Sequence, residues 1–372
     1  MKKKAIVSVI NDLVTDQRVH KSCQTLEKCG FEVLLVGRKM RGSPEMDKRP
    51  YQVHRMKLFF EKGPFFYAEY NIRLYLFLLF NRSNLLISND LDTLLPNYII
   101  SKLSRTPLVY DSHEYFTEVP ELVNRKSIQK VWKFIERNIF PNLQDVVTVN
   151  ESIADLFYQD YGIRPKVVRN IPRKRINKIQ VSKRELNLPD DKKIIILQGS
   201  GINVERGSEE LVEAMQYVDN AILLIAGGGD VIDILKDLVQ SYKLEDKVIF
   251  KPRMPYSELI NYTSVSDLGI TFDKSTNLNY KFSLPNKLFD YIQSETPVLS
   301  SELPEIKKII SKYNVGDFID SYEPEKIAEK INNILSNEPQ LGNWKKNCSF
   351  AAQELTWENE EIVLQEIYGK YV

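Results

Sequence analysis

Short apolar runs alternate with amphipathic stretches along almost the whole chain, and this alternation limits the fold more than any other feature. The run IIIL (194–197) is apolar at consecutive positions, so both of its faces need cover. A parallel sheet held between helices supplies that cover. In the first half, strands are expected at 5–10, 32–36, 85–88, 108–110 and 146–149. Between them lie helical patterns at 19–29, closed by Gly30, and at 94–103 and 130–139. A second series has strands at 193–198, 221–226, 248–251, 268–271 and 298–300, with helices at 208–216, 232–242 and 257–264. Two α/β units of similar size follow, and 372 residues suffice for each to bury its own core. The divide is expected in RPKVVRNIPRKRINKIQVSKRELNLPDDKK (164–193), which is basic, broken by prolines and without periodicity. The chain ends in WENEEIVLQEIYGKYV (357–372), an amphipathic helix with Ile362, Val363, Ile367 and Tyr371 near one face.

Composition removes several classes of function. The 43% hydrophobic and 27% charged content belongs to an ordinary globular protein. Cys23, Cys29 and Cys348 are odd in number and irregularly spaced, so neither a zinc site nor a disulfide framework is expected, and a reducing, cytoplasmic compartment is. MKKKAIVSVIND starts like a signal peptide, but its apolar run soon meets Asn11 and Asp12 and reads as a first strand. The greasiest stretch, IRLYLFLLF (72–80), falls well short of the ~20 residues of a membrane span. Residues 1–190 carry about +11 and residues 191–372 about −10, which together give the net +1. A basic half suits an acidic partner or an anionic membrane surface. No nucleic-acid signature accompanies the charge. The stretch HRMKLFFEKGPFFYAEYNIRLYLFLLFNR (54–82) mixes aromatic and basic residues, which suits a membrane-surface face or an acceptor groove.

Three segments carry candidate chemistry. IIILQGSGINVERGSEELVEAM (194–215) runs from a strand into Gly199, Ser200 and Gly201, then Arg206 and Gly207, then a helix. Glycines let the backbone approach a phosphate, and the arginine offers it a charged fork. ILLIAGGGD (222–230) is a strand ending in Gly227 and two further glycines. In SLPNKLFDYIQSETPVLSS (283–301), Pro285 opens a helix whose buried stripe is Leu288, Phe289 and Ile292. The turn Pro285–Asn286–Lys287 leaves backbone N–H groups free for an anion, and Asp290 interrupts the apolar side. In open α/β sheets ligands gather beyond the carboxyl ends of the strands, and all three segments meet that edge.

The order QGSGINVERG, LLIAGGGD, FKPRMPYSELINYTSVSDLGI, SLPNKLFDYIQSETPVLSS resembles the donor half of the retaining glycosyltransferases of family 4. NDLVTDQRVHKSCQTLEKCGFEVLLVG, SNDLDTLLP, YDSHEYFTE and VVTVNESIADLFYQDYG resemble the other half in the same order. The resemblance implies a GT-B fold, two Rossmann-like domains whose parallel sheets face across a cleft that holds a nucleotide-sugar. It implies an N-terminal acceptor-binding domain at 1–170, joined by a helix at about 352–372 that packs back on it. A basic linker at 171–190 and a donor domain at 191–351 complete it. Arg206 matches the residue that grips the donor diphosphate. Asp290 matches the second of two family glutamates, which bonds the ribose. His113 matches the histidine beside the transferred sugar. Arg253 and Met254 match positions whose main chain meets the base. The other histidine near a helix start, His20, stands beside Arg18.

The implied activity is metal-independent transfer, with retention, from a UDP- or GDP-type sugar to a glycan or lipid-linked acceptor in cell-surface polysaccharide synthesis. No cofactor beyond the donor is implied, and peripheral contact with the inner face of an anionic membrane fits the basic half. Several positions depart from the family. Ser200 stands where an arginine is common, with Lys287 as the substitute clamp; Phe282 takes the place of the first glutamate, Asp290 is one methylene short, and Glu295 stands where glycine is usual. Residues 11–16 replace a glycine-rich loop. Two alternatives remain open at this level, a non-hydrolysing nucleotide-sugar epimerase and a degenerate, membrane-docked GT-B subunit of a glycan-assembly complex.

Overall fold

Two parallel sheets account for the apolar runs. The computed structural model describes residues 2–14, 16–43, 45–175 and 181–372, and its chain divides into two units, Met1–Asn170 with Glu360–Val372 and Ile171–Asn359. The first contains β1 (Lys4–Asp12), β2 (Glu32–Lys39), β3 (Gln52–Lys57), β4 (Leu85–Asn89), β5 (Leu108–Ser112), β6 (Asp145–Thr148) and β7 (Lys166–Val167). Their order is β3-β2-β1-β4-β5-β6-β7, parallel throughout. Its helices are α1 (Gln17–Lys28), α2 (Pro64–Phe80), α3 (Leu91–Ser104), α4 (Pro120–Val123), α5 (Lys126–Ile139) and α6 (Glu151–Tyr161).

The second unit contains β8 (Lys193–Gly199), β9 (Ala221–Gly227), β10 (Val248–Lys251), β11 (Leu268–Thr271), β12 (Val298–Ser300) and β13 (Gly316–Phe318), ordered β10-β9-β8-β11-β12-β13. Its helices are α7 (Ser208–Ala214), α8 (Ile232–Ser241), α9 (Tyr256–Ser264), α10 (Leu278–Lys281), α11 (Asn286–Gln293), α12 (Pro304–Tyr313), α13 (Pro324–Ser336) and α14 (Glu338–Glu354). The last helix, α15 (Trp357–Gly369), begins in the second unit and continues in the first. Strand order reverses between β1 and β4 and between β8 and β11, so each sheet has a switch point where a crevice opens at the strand ends.

The run of isoleucines in β8 now has its reason. Ile195 and Leu197 join one buried cluster with Leu211, Val212 and Ile331, while Ile194 and Ile196 join another with Leu288, Phe289 and Ile292. Consecutive residues point to opposite faces of a strand, and both faces here are covered.

The structure corrects three expectations. β3, β7 and β13 were not anticipated, because they close the sheets or lie at their edges and carry no continuous apolar run. The expected connector is not wholly exposed. Ile171 and Leu188 sit in the second unit's core, while residues 176–180 of that stretch lie outside the described residues. In α15 the buried face is Glu360, Glu361, Leu364, Ile367 and Tyr368, and Ile362 is exposed. Apolar pattern alone misplaced that face because it contains two partnered carboxylates. Glu361 accepts from Thr25 and Lys28 (2.7 and 2.6 Å), and Glu360 pairs with Arg169 at 2.5 Å.

Candidate active site

The loops after β8 and β9 are knitted together by their backbones. Gly228 N donates to the Gly199 carbonyl (3.1 Å), and Ile202 N donates to the Gly228 carbonyl (3.0 Å). Gly227 lies opposite Gly199 in register with φ +138°, and a Cβ there would fall 1.8 Å from the Gly199 carbonyl oxygen. Only glycine fits that approach. Arg253 adds a side-chain tie, donating from Nη2 to the Ser200 carbonyl at 2.7 Å. Gly201 and Met254 belong to the coil on this edge, Met254 packing partly onto the core.

Arg206 is aimed by its neighbour. Gly207 has φ +65°, and a Cβ there would meet Phe272 at 2.5 Å, so the chain enters α7 pressed against the end of β11. The Arg206 guanidinium thereby reaches Asp273, Nη1 to Oδ1 at 2.5 Å, and lies over the Tyr280 ring with 4.6 Å to its centroid. Asp273 has no solvent exposure. Its other oxygen accepts from the Thr271 hydroxyl (2.8 Å), and its main-chain carbonyl from Ser301 and Tyr322 (2.7 and 2.9 Å). Burial pushes the Asp273 carboxyl up, but Lys287 and Arg206 outweigh it and hold its pKa below the usual carboxylate range. Lys287 is half-buried, and burial lowers its pKa, opposed by Asp273 and reinforced by Arg206. Arg206 thus pairs with this buried anion, and the charge of Lys287 acts on it as well. The buried Nε of Arg206 has no hydrogen-bond partner among the described residues.

Beside this cluster α11 begins at Asn286, with Pro285 extended as its cap rather than its first helical residue (φ −69°, ψ 138°). No side chain caps the helix, so its first amides stay available to an anion. Asp290, one turn on, is 9% exposed and accepts from Gln198 Nε2 (3.2 Å) and the Tyr256 hydroxyl (2.8 Å). Arg175 steadies the same corner through Tyr256 and Ser294 (3.4 and 3.3 Å). Phe282 caps α10 beneath Lys281, 5.4 Å from its ring centroid. Glu295 follows α11 with φ +58°, a left-handed backbone that favours glycine.

In the first unit the β4 and β5 register sets Asn89 opposite Asp111, bringing SND and YDSHE together. His113 lies between carboxylates, Nδ1 at 3.2 Å from Asp90 and Nε2 at 3.6 Å from Asp111, with Asn89 Oδ1 at 3.2 Å. Burial lowers its pKa, but Asp90 and Asp111 outweigh that and raise it to about 10, so the ring is an imidazolium at neutral pH. Arg18 bonds both Asp111 oxygens (2.6 and 3.3 Å) and the Val168 carbonyl (2.8 Å). His20 instead bonds the Tyr51 hydroxyl at 2.6 Å, and Thr15 of the 11–16 loop lies outside the described residues.

Two family models fit this chain, Glycosyltransferase Family 4 over residues 16–173 and Glycosyl transferases group 1 over residues 178–349. The chain belongs to the group 1, family 4-type glycosyltransferases. Alpha-monoglucosyldiacylglycerol synthase of Streptococcus pneumoniae is 21% identical over 287 residues, 72% of this chain and 62% of that one. The chain spans 45% and 62% of the length of the curated relatives it matches. Sucrose-phosphate synthase from Thermosynechococcus elongatus superposes with a TM-score of 0.78, at 17% identity over 99% of each chain. Anabaena HepE, crystallised with UDP-glucose, gives 0.73 at 14% identity, over 99% of this chain and 100% of that one. These likenesses carry the fold, and it is the GT-B fold expected from the sequence.

Within this chain the sequence-predicted Arg206, Lys287, Pro285 and Asn286 lie at one sheet edge, with Asp290 one helical turn away. His113 lies in the other unit. The residues that sequence reasoning missed are the partners: Asp273, Tyr280, Gln198 and Tyr256 here, and Asp90 and Asp111 around His113. Asp273 had one available signal, an acid just beyond a buried strand on the ligand edge.

Proposed function

We propose that this protein transfers a sugar, with retention of configuration, from a nucleoside-diphosphate sugar to a glycan or lipid-linked acceptor. The observation that carries the proposal is the buried Arg206–Asp273 pair beside the uncapped start of α11, whose first turn contributes Lys287. Phosphate oxygens arriving there would meet two cations and several N–H donors. Fixed donors of this kind stabilise the charge that grows on a leaving diphosphate. The two cations supply the counter-charge, so the scheme invokes no metal and no cofactor beyond the donor. Asp290, held by Gln198 and Tyr256, is the residue assigned to the ribose hydroxyls. The loop glycines Gly199, Gly201 and Gly227 admit the diphosphate, and the main chain at Arg253 and Met254 receives the base. The acceptor hydroxyl attacks from the face the diphosphate leaves, and a phosphate oxygen takes its proton, so no protein nucleophile is required. His113, held between Asp90 and Asp111, is the first unit's candidate for the transferred sugar.

The base is of UDP or GDP type, and the UDP-glucose complex of the structurally similar HepE supports the first. The acceptor belongs to cell-surface polysaccharide synthesis at the cytoplasmic membrane face, a reading supported by the basic first half.

The test is a thermal-shift panel of UDP, GDP, ADP, CMP and dTDP on the wild type and Arg206→Ala. A diphosphate at about 100 times its Kd adds about 2.7 kcal/mol. One responding diphosphate, with its shift lost in the variant, is the expected result. An undiminished shift in Arg206→Ala removes that residue from the site, and no shift with any nucleotide overturns the donor reading.

A further inference from the structure

The first unit carries an apolar face that its own fold leaves uncovered. Stepping from β1 to β2 and stepping from β4 to β5 and β6 run in opposite directions across the sheet. With right-handed crossovers, α1 then lies on one side of the sheet and α3 and α5 on the other. The helix α2 packs against α3, and α3 against α5, so the three form one layer. In α2 the inward stripe is Phe66, Tyr70, Leu74 and Leu78. The opposite side is also apolar: Phe65, Ile72, Leu76 and Phe80 are exposed, Phe80 to 80%. Leu103 on α3 and Phe134 on α5 are likewise exposed, at 65% and 70%. Among the described residues, 12 of the 23 exposed large apolar side chains fall between Phe59 and Phe134, so the exposure is concentrated rather than scattered.

Charge on these helices is sorted. Their carboxylates are Glu69, Asp92 and Glu136. Asp92 and Glu136 are buried, and Glu69 is taken up by Arg73 (2.8 Å) and by the Phe59 and Phe60 amides. No acid on the layer is left facing water. The cations are: Lys102, Lys126, Lys130 and Arg137 are all exposed. Among the described residues no helix is long and apolar enough to cross a membrane.

We propose that the outer faces of α2, α3 and α5 form a single docking surface for an anionic bilayer. The aromatic and aliphatic side chains enter the headgroup boundary while the cations meet lipid phosphates. Apolar centre and basic surround are the chemistry of a face that lies in the interface plane. A second copy of the chain fits it poorly, because the same cations would oppose one another across the contact. The inference deepens the proposed function, and rests on it, only in giving a membrane-borne acceptor a place. Docking itself needs neither donor nor acceptor.

The experiment is co-sedimentation of the full chain with phosphatidylcholine vesicles, with and without phosphatidylglycerol, at low and high salt. The variants are Leu76→Glu with Phe80→Glu, and separately Lys102→Glu with Lys130→Glu. All of these side chains are exposed, and thermal melts check that each variant folds. Wild type should bind only the anionic vesicles and release at high salt. The apolar pair should weaken binding by at least ~10-fold. The loss of each cation should weaken it about fivefold. Equal binding to both vesicle types, binding to neither, or a solution dimer dissolved by Leu76→Glu with Phe80→Glu overturns the proposal. Nucleoside-diphosphate shifts run on the same samples separate this outcome from failure of the donor reading, since these positions lie outside the second unit.

Discussion

Replacing Asp273 by asparagine should weaken the empty protein and tighten its hold on a diphosphate. The carboxylate has no solvent exposure, and it lies 2.5 Å from Arg206, whose side chain keeps 25% of its surface in water. Removing one partner of a fully buried pair costs about 3–5 kcal/mol, and an exposed pair is worth less than about 1 kcal/mol. With one partner dry and the other partly wet, a loss of about 2–3 kcal/mol follows for the second unit. The amide keeps the shape and an acceptor for Arg206, so the loss is chiefly electrostatic. The same change removes a negative charge from beneath the proposed diphosphate. A unit charge about 8 Å away at an effective dielectric of about 20 contributes about 2 kcal/mol. Some of that is offset by a less firmly held guanidinium, which leaves roughly tenfold tighter binding, or about 1.4 kcal/mol. Equilibrium urea unfolding with and without the responding diphosphate measures both quantities. The acid limb should flatten as well: the folded carboxyl titrates below its unfolded value, so its stabilisation is present above the ordinary carboxylate range and lost as pH falls. A stability loss under about 0.5 kcal/mol would show that the pair is screened as on a surface. Weaker diphosphate binding would show that Asp273 serves the ligand rather than opposing it.

What the sequence disclosed follows from how the fold buries things. Strands covered on both faces, such as β8 and β9, appear as unbroken apolar runs and were legible to within a residue or two. Edge strands such as β3, half-buried residue by residue, leave no such trace. Arg206 was legible because glycines bracket it, and Asp290 because it interrupts an apolar helix face. Asp273 was less so: an acid two residues past a buried strand on the ligand edge is only a weak signal until Gly207 presses the next loop onto Phe272. The setting of His113 was hidden for a related reason. Asn89, Asp90 and Asp111 all stand in the quoted segments, but only the parallel register of β4 and β5 makes them neighbours of one imidazole. Partners contributed by sequence-distant segments are set by register and loop packing, which a linear pattern does not encode.

Two further outcomes are expected. His113 has a folded pKa of about 10, raised by Asp90 and Asp111 against burial, so its stabilisation is complete below about 6.5 and is lost as pH rises toward 10. Thermal melts of the wild type should therefore lose Tm between those limits more steeply than melts of His113→Gln, and parallel slopes would place the proton elsewhere. Glu295→Gly should stabilise the second unit. At φ +58° a side chain costs about 1–2 kcal/mol, of which glycine's extra freedom in the unfolded chain returns about 0.5–1 kcal/mol. The balance, about 0.5–1 kcal/mol, corresponds to roughly 2 °C in Tm for a unit of this size. Glu295 is partly buried and has interactions of its own, so the variant weighs backbone strain against them. A lowered Tm would mean that those interactions exceed the strain, and that this chain holds a glutamate at a glycine position because the side chain has work to do there.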